Sequence, residues 1–193
     1  MKEETLPNQQ TVLLDELNLR MSQTRSELDL KNRTIRQQEA NRIIKNHVLT
    51  GSAIGLIPLP LVDILALSSN QLNMLHRLSE HYNLDFDRNK TKVALTALLS
   101  GSLPTLTLLS LSSASKFIPG IGTLGGNASL SLFGGAVTYA TGQSFAKHFD
   151  ADGTLDNFHA RKFTHFFKQE LQKGQHIIQQ HLAKKTVSTI NVD

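Results

Sequence analysis

Residues 93–146 decide the fold. Val93–Ser115 reads VALTALLSGSLPTLTLLSLSSAS, and after the lone Lys116, Phe117–Ala146 reads FIPGIGTLGGNASLSLFGGAVTYATGQSFA. Neither run contains Asp, Glu, Lys or Arg, and each exceeds the ~20 residues a helix needs to cross a bilayer's hydrocarbon core. Between them, Ile118-Pro119-Gly120-Ile121-Gly122 is a strong turn signal. The pattern predicts two helices folded back on each other, with Pro119, Gly120 and Gly122 at the turn. The second run is polar for a membrane span, holding Asn127, Gln143 and several Ser and Thr. It is also rich in small residues: Gly126, Leu130 and Gly134 lie four apart, as do Gly134, Thr138 and Gly142. Such a surface lets helix backbones approach closely, and hydroxyls can bond across the contact. Membrane insertion is the leading expectation. The alternative is a soluble Gly-rich hairpin buried by the chain itself or by a partner.

Towards the N-terminus a shorter apolar stretch, VLTGSAIGLI (48–57), leads into Pro58-Leu59-Pro60. Two prolines one residue apart lack N–H donors and push their predecessors out of the α region, so a helix must break here. A new helix is expected from Pro60 or Leu61, where proline is tolerated, to about His81. One of its faces carries Leu61, Ile64, Leu65, Leu72 and Leu75; another carries Asp63, Asn70 and Arg77. Asp63 stands in an apolar neighbourhood, where a carboxylate needs a partner. The favoured reading is a structural one, with the carboxylate near backbone N–H groups at the helix start. Residues 82–92 (YNLDFDRNKTK) read as a charged loop.

The outer segments are polar. Residues 1–11 read as a disordered lead containing Pro7. From Val12 to about His47 there is no Gly or Pro, and Leu14, Met21, Leu28 and Ile35 recur every seven residues with Leu17 alongside. This is an amphipathic helix with half a coiled-coil seam, fit to pack on its own domain or to self-associate. Residues 48–149 form the apolar Gly/Ser-rich hairpin domain. DADGTLD (150–156) is a turn. Residues 150–185 lead into a C-terminal amphipathic helix carrying Phe163, Phe166, Phe167, Leu171, Ile177, Ile178 and Leu182, weakened at Gly174 by about 1 kcal/mol. Residues 186–193 are a tail. The fold class is therefore all-α: a long amphipathic N-terminal helix, two apolar helical hairpins and a C-terminal amphipathic helix.

Charge is pushed to the ends. Residues 1–47 hold 8 basic and 7 acidic side chains, residues 48–146 hold 5 and 4, and residues 147–193 hold 7 and 5. There is no basic stripe of the kind nucleic acid requires. Cysteine is absent, which removes disulfides and thiolate metal sites. The N-terminus lacks an apolar signal-type core. Arg42 and Lys45, then Arg77 to Lys92, then Lys147, Arg161 and Lys162 flank the apolar stretches. By the positive-inside tendency both ends belong on the cytoplasmic side of an inner membrane; the alternative location is the cytoplasm. Lys116, at the far turn, is the exception.

Motifs that suggest chemistry fail on context. Gly120-Ile-Gly122-Thr-Leu-Gly125 has dinucleotide-loop spacing, but Pro119 precedes it and no βαβ pattern surrounds it. Asp150-Ala-Asp152-Gly-Thr matches a phosphatase nucleophile motif, but only about 40 residues follow, too few for a nucleotide-type sheet domain. The eight histidines do not fall three or four apart on one face, as zinc would want. No GxxxxGK[ST] or GxSxG occurs. The reading is of no enzyme, no cofactor and no metal.

The blocks Ile57-Pro58-Leu59-Pro60-Leu61-Val62-Asp63 with Gln71, Met74 and Tyr82, then Lys116-Phe117-Ile118-Pro119-Gly120-Ile121-Gly122, then Thr138-Tyr139-Ala140, Gly142, His148-Phe149 and Gly153-Thr154, resemble an uncharacterised bacterial family of helical, membrane-associated domains. Members occur alone or fused behind Era-like GTPase domains. The resemblance spans about residues 40–160. Asn83 stands where the family commonly has Gly after the Tyr, and Asp152 where a glycine pair would begin. The resemblance implies an adaptor or scaffold acting at the lipid bilayer with a separate GTPase, and no catalysis. The competing reading is a soluble helical protein-binding module.

Overall fold

The structure, a computed structural model, describes residues 5–54, 60–102 and 124–190, with side chains described over 10–54, 65–102 and 131–180. Over these residues the chain is all-α, and no strand occurs among them. The helices are α1 (Thr5–Ile54), α2 (Pro60–His81), α3 (Arg88–Gly101), α4 (Leu124–Asp150) and α5 (Ala160–Ile190). The chain divides into two compact units, Met1–Gln38 and Glu39–Asp193.

In the first unit, α1 begins ahead of the expected Val12. Pro7 lies in its first turn, where a missing N–H costs no intrahelical bond. The seven-residue stripe Leu14, Met21, Leu28 and Ile35 is solvent-exposed, as is Leu17. Val12, Leu19 and Leu30 are exposed as well and fall on the opposite side of the helix. Arg20 donates to Glu16 one turn away at 2.6 Å.

In the second unit, α4 is the axis. Ala136, Val137, Thr138, Ala140, Thr141, Ser144 and Phe145 are all buried, so several sides of this helix are covered. Small residues at many of these positions make that possible, because helices can close in on them without collision. The end of α1 and the middle of α5 run antiparallel to α4: Gly51 meets Gly134 and Thr138 while Ile44 meets Gly142, and Ile178 meets Gly135 while Gly174 meets Tyr139. α2 runs parallel to α4, with Met74 beside Gly142 and Tyr82 beside Asp150.

α2 opens at Pro60, as expected from the double proline, and ends at His81, where the expected loop of residues 82–92 begins. α3 starts earlier than expected, inside the supposed charged loop. Asp87 caps it, its carboxylate accepting from Asn89 N at 2.8 Å and Lys90 N at 2.9 Å. The charges of Arg88, Lys90 and Lys92 occupy its exposed side, while Thr91, Ala94, Leu95 and Leu98 are buried. α3 ends at Gly101, where Ser102 N–H reaches Leu99 O at 3.1 Å. It packs on α5 and α2.

Among the described residues no helix is long and apolar enough to cross a membrane. The expected transmembrane helices are therefore not present among them. α3 carries charges in its first turns and stops at Gly101, and the Ser, Thr and Gly of α4 that lower its hydropathy are the residues it uses to seat its neighbours. Pro58, Pro104, Lys116, Pro119, Gly120 and Gly122 lie outside the described residues, as do the side chains of Pro60 and Asp63.

Candidate functional site

The polar groups of the second unit converge on the seam where α1 and α2 meet α4. Gly51 of α1 lies against Gly134 of α4 so closely that a methyl on Gly134 would stand 2.8 Å from Gly51 O. Around this contact, Ser131 Oγ donates to Ser52 O at 2.6 Å and Asn70 Nδ2 to His47 O at 2.9 Å. Gln143 Nε2 donates to Asn41 Oδ1 at 2.7 Å, and Thr141 Oγ1 points at Gln71 Oε1 at 3.5 Å. Gln71, Thr138, Thr141 and Ser144 are fully or almost fully buried. Thr138 and Ser144 return their hydroxyl protons to their own helix, at Gly134 O and Ala140 O. A buried polar group without a partner costs roughly 1–3 kcal/mol. Most of this seam avoids that by bonding to a neighbouring helix or a local carbonyl. Ser52 Oγ and Ser79 Oγ are the unpartnered buried side-chain atoms among the described residues.

The same end of α2 and α4 is closed twice in the same way. Leu84 N reaches Ser79 O at 2.8 Å and Asn83 N reaches Glu80 O at 3.1 Å. Gly153 N reaches His148 O at 3.0 Å and Asp152 N reaches Phe149 O at 3.0 Å. Both sets are Schellman closures, which need a left-handed residue at the position after the helix. Asn83 (φ 55°) and Asp152 (φ 57°) supply it. The resemblance leads to an expectation of glycine at these two positions, and the chain instead carries residue types that best tolerate a positive φ.

Between the two closures Tyr82 Oη donates to Asp150 Oδ1 at 3.0 Å, and its ring meets Phe149 at 5.6 Å. The His148 ring rests on Gly153, with no room for a side chain there. His148 Nε2 contacts Thr154 O at 2.9 Å and Asn157 Oδ1 at 2.8 Å. Asn157 Oδ1 also accepts from Thr154 N at 2.8 Å, so Nε2 faces two acceptors and carries the proton. Phe145 and Phe163 stack on either side of Phe158.

A third cluster joins α4 to α5. Glu170 is buried and accepts from Lys173 Nζ at 2.9 Å. Burial, and then the Glu170 carboxylate, push the Tyr139 phenol above its usual range; the bond to Glu170 holds Lys173 above its own. Gly174 lies against Tyr139 and Ala136, so the residue that weakens α5 as an isolated helix is the one that lets it approach α4.

Of the residues singled out from sequence, Gln71 is placed in the seam. Residues of the resemblance meet in pairs: Met74 with Gly142, Tyr82 with Phe149, His148 with Gly153 and Thr154, while Gln71 meets Thr141 between them. Glu170 was not singled out, although its spacing from Phe166, Phe167, Leu171 and Gly174 places it on the buried face of α5. Two open hollows flank α2: one of about 390 Å³ with Arg42, Arg77, Glu39 and Glu80 on its walls, and one of about 230 Å³ beside His76 and Phe86. Among the described residues no group of three His, Cys, Asp or Glu could hold a metal ion.

Comparison with known proteins identifies a family and a relative. The model of a domain of unknown function, DUF697, matches residues 19–185. Magnetosome membrane protein 22 of Magnetospirillum gryphiswaldense is 31% identical over 153 residues, covering 79% of this chain and 78% of that protein. No solved structure matches.

Proposed function

Because the chain belongs to the DUF697 family of domains of unknown function, and resembles a magnetosome membrane protein along most of its length, we propose that it is a membrane-associated helical protein acting as a scaffold or adaptor rather than as an enzyme. The observation that carries this reading is the membrane assignment in the name of a relative 31% identical across 79% of the chain. Two features of the fold support it. Leu49 and Leu65, exposed near the end of α1 and the start of α2, flank the apolar sequence GLIPL. Most polar groups of the described seam are engaged with neighbouring helices and local carbonyls, which suits a structural contact better than a reaction. A separate GTPase partner is supported by the resemblance of residues 40–160 to domains fused behind Era-like GTPases.

Cell fractionation with an alkaline carbonate wash, followed by flotation with phospholipid vesicles, tests the membrane reading. The chain should sediment with membranes and float with vesicles, and a Leu49→Asp/Leu65→Asp variant should float less while keeping its helicity. Recovery wholly in the supernatant, with no flotation, overturns it. The second reading, a helical protein-binding module without lipid contact, is favoured by α4, whose Gly-rich surface is buried by the chain itself. Vesicle flotation separates the two. The GTPase part is tested separately, by co-sedimentation with candidate Era-like GTPases in GTP and GDP.

A further inference from the structure

We propose that the first unit pairs with a second copy of this chain as a short antiparallel coiled coil spanning Leu14 to Lys31. The argument starts from exposure. The stripe from Leu14 to Ile35, with Leu17, is about half or more exposed throughout, between 48% for Leu17 and 59% for Ile35. Side chains repeating every seven residues form a seam for another helix. Taking Leu14, Met21 and Leu28 as the first core position, the second holds Leu17, Thr24 and Lys31, and the flanks hold Arg20 and Glu27 on one side and Asn18 and Arg25 on the other.

Charge selects the arrangement. In a parallel pair, Arg20 of each helix lies beside Arg25 of the other, twice, and like charges there oppose association. In an antiparallel pair with Leu17 facing Leu28 of the second copy, Arg20 lies beside Glu27 of the second copy, again twice, and Arg25 lies beside Asn18. Sliding one heptad in either direction sets Arg20 on Arg20 or Glu27 on Glu27. Of these three registers only the first is free of like-charge flank contacts. It also lays the acidic start of the segment, with Asp15 and Glu16, against the basic end, with Lys31, Arg33 and Arg36. Its layers are Leu17 on Leu28, Met21 on Thr24 and Leu14 on Lys31, each made twice. Lys31 falls at the edge of the overlap, where its stem can cover Leu14 while the ammonium stays in water. A lipid surface is a poorer occupant, because Val12, Leu19 and Leu30 lie on the opposite side of the helix and a bilayer covers one side only. The pairing does not depend on the membrane reading above.

Sedimentation equilibrium of the full chain over a wide concentration range tests association, and cross-linking tests register. The chain has no cysteine, so introduced ones report alone. A Leu14→Cys chain mixed with a Lys31→Cys chain should give the mixed disulfide on oxidation, whereas neither alone should cross-link, its two thiols being about 25 Å apart. A Leu17→Asn/Leu28→Asn variant should weaken dimerisation at least about a hundredfold. Glu27→Arg should weaken it about tenfold, and Arg20→Glu/Glu27→Arg should restore it. The proposal is overturned by a monomer at every concentration, by self-cross-linking of either single variant (a parallel pair), by a dimer indifferent to the Leu17/Leu28 change, or by a chain that stays monomeric and uses α1 to bind vesicles.

Discussion

Gly51 on α1 and Gly134 on α4 oppose each other across the seam with backbone against backbone. A Cβ on Gly134 would meet Gly51 O at 2.8 Å, whereas one on Gly51 would meet Thr138 Oγ1 at 2.7 Å and Gly134 O only at 3.3 Å. A carbonyl fixed in a helix cannot turn aside, while a threonine hydroxyl can. Gly134→Ala should therefore destabilise the chain by about 1–3 kcal/mol despite alanine's better helix propensity, and Gly51→Ala by less. Gly101, whose nearest neighbour would be Thr164 Oγ1 at 3.6 Å, is the control: Gly101→Ala should be neutral or stabilise by up to about 1 kcal/mol. Denaturant unfolding of the three variants gives the order directly.

The twin closures make the opposite statement about glycine. Asn83 and Asp152 hold φ near +55°. Asn83→Gly and Asp152→Gly should each raise stability, by up to about 1 kcal/mol, whereas Asn83→Val should lower it by about 1–2 kcal/mol. Thermal melts of the single variants suffice, and a stabilising valine would contradict the left-handed assignment.

Tyr82 ties the two closures together through Asp150 at 3.0 Å. Tyr82→Phe keeps the ring against Phe149 and removes only the hydroxyl. Its cost should be about 1.5–3 kcal/mol, the range for a bond to a charged acceptor. Tyr82→Phe combined with Asp150→Ala should cost less than the sum of the two single changes, because the two singles share this bond.

Alkaline pH should act on the α4–α5 contact. Tyr139 and Lys173 both titrate above their usual values in the folded chain, Tyr139 through burial and Glu170, Lys173 through its bond to Glu170. A raised folded value means that the unfolded chain loses its proton first. The stabilisation is complete below about pH 10 and drains away as pH rises through the folded values. Melting temperature should fall along that limb. Tyr139→Phe, which has no proton to lose, should flatten it.

Ser79 is fully buried and its hydroxyl has no partner. Removing an unsatisfied buried hydroxyl relieves its desolvation, so Ser79→Ala should be neutral or stabilising by up to about 1 kcal/mol. A marked loss would show that the hydroxyl is bonded in solution.

The start of α2 is legible in sequence because proline is unambiguous: Pro58-Leu59-Pro60 can only break a helix. The small-residue rows of α4 are legible too, since Gly134, Thr138 and Gly142 all face neighbouring helices. Their surroundings are not. Glycine and hydroxyl spacing describes how closely a helix can be approached, and it is the same for a neighbour in a bilayer and a neighbour in a water-facing bundle. The start of α3 escapes a reading by composition because Asp87, Arg88, Lys90 and Lys92 resemble a loop until Asp87 is seen to cap a helix whose buried side is Thr91, Ala94, Leu95 and Leu98. Glu170 escapes for the converse reason: a charge on a Phe- and Leu-bearing face reads as an interruption until Lys173 and Tyr139 are found beside it.

The central place of α4 also sets an order of events during synthesis. The end of α1 and the later turns of α2 bury their seam faces against a helix that is complete only at Asp150, about 70 residues after α2 ends. At ordinary elongation rates that is roughly 3–15 s during which Ile44, Met74 and their neighbours are translated without the surface that will cover them. Whatever meets the nascent chain in that interval, a chaperone or a bilayer, competes with its own later residues for the same face.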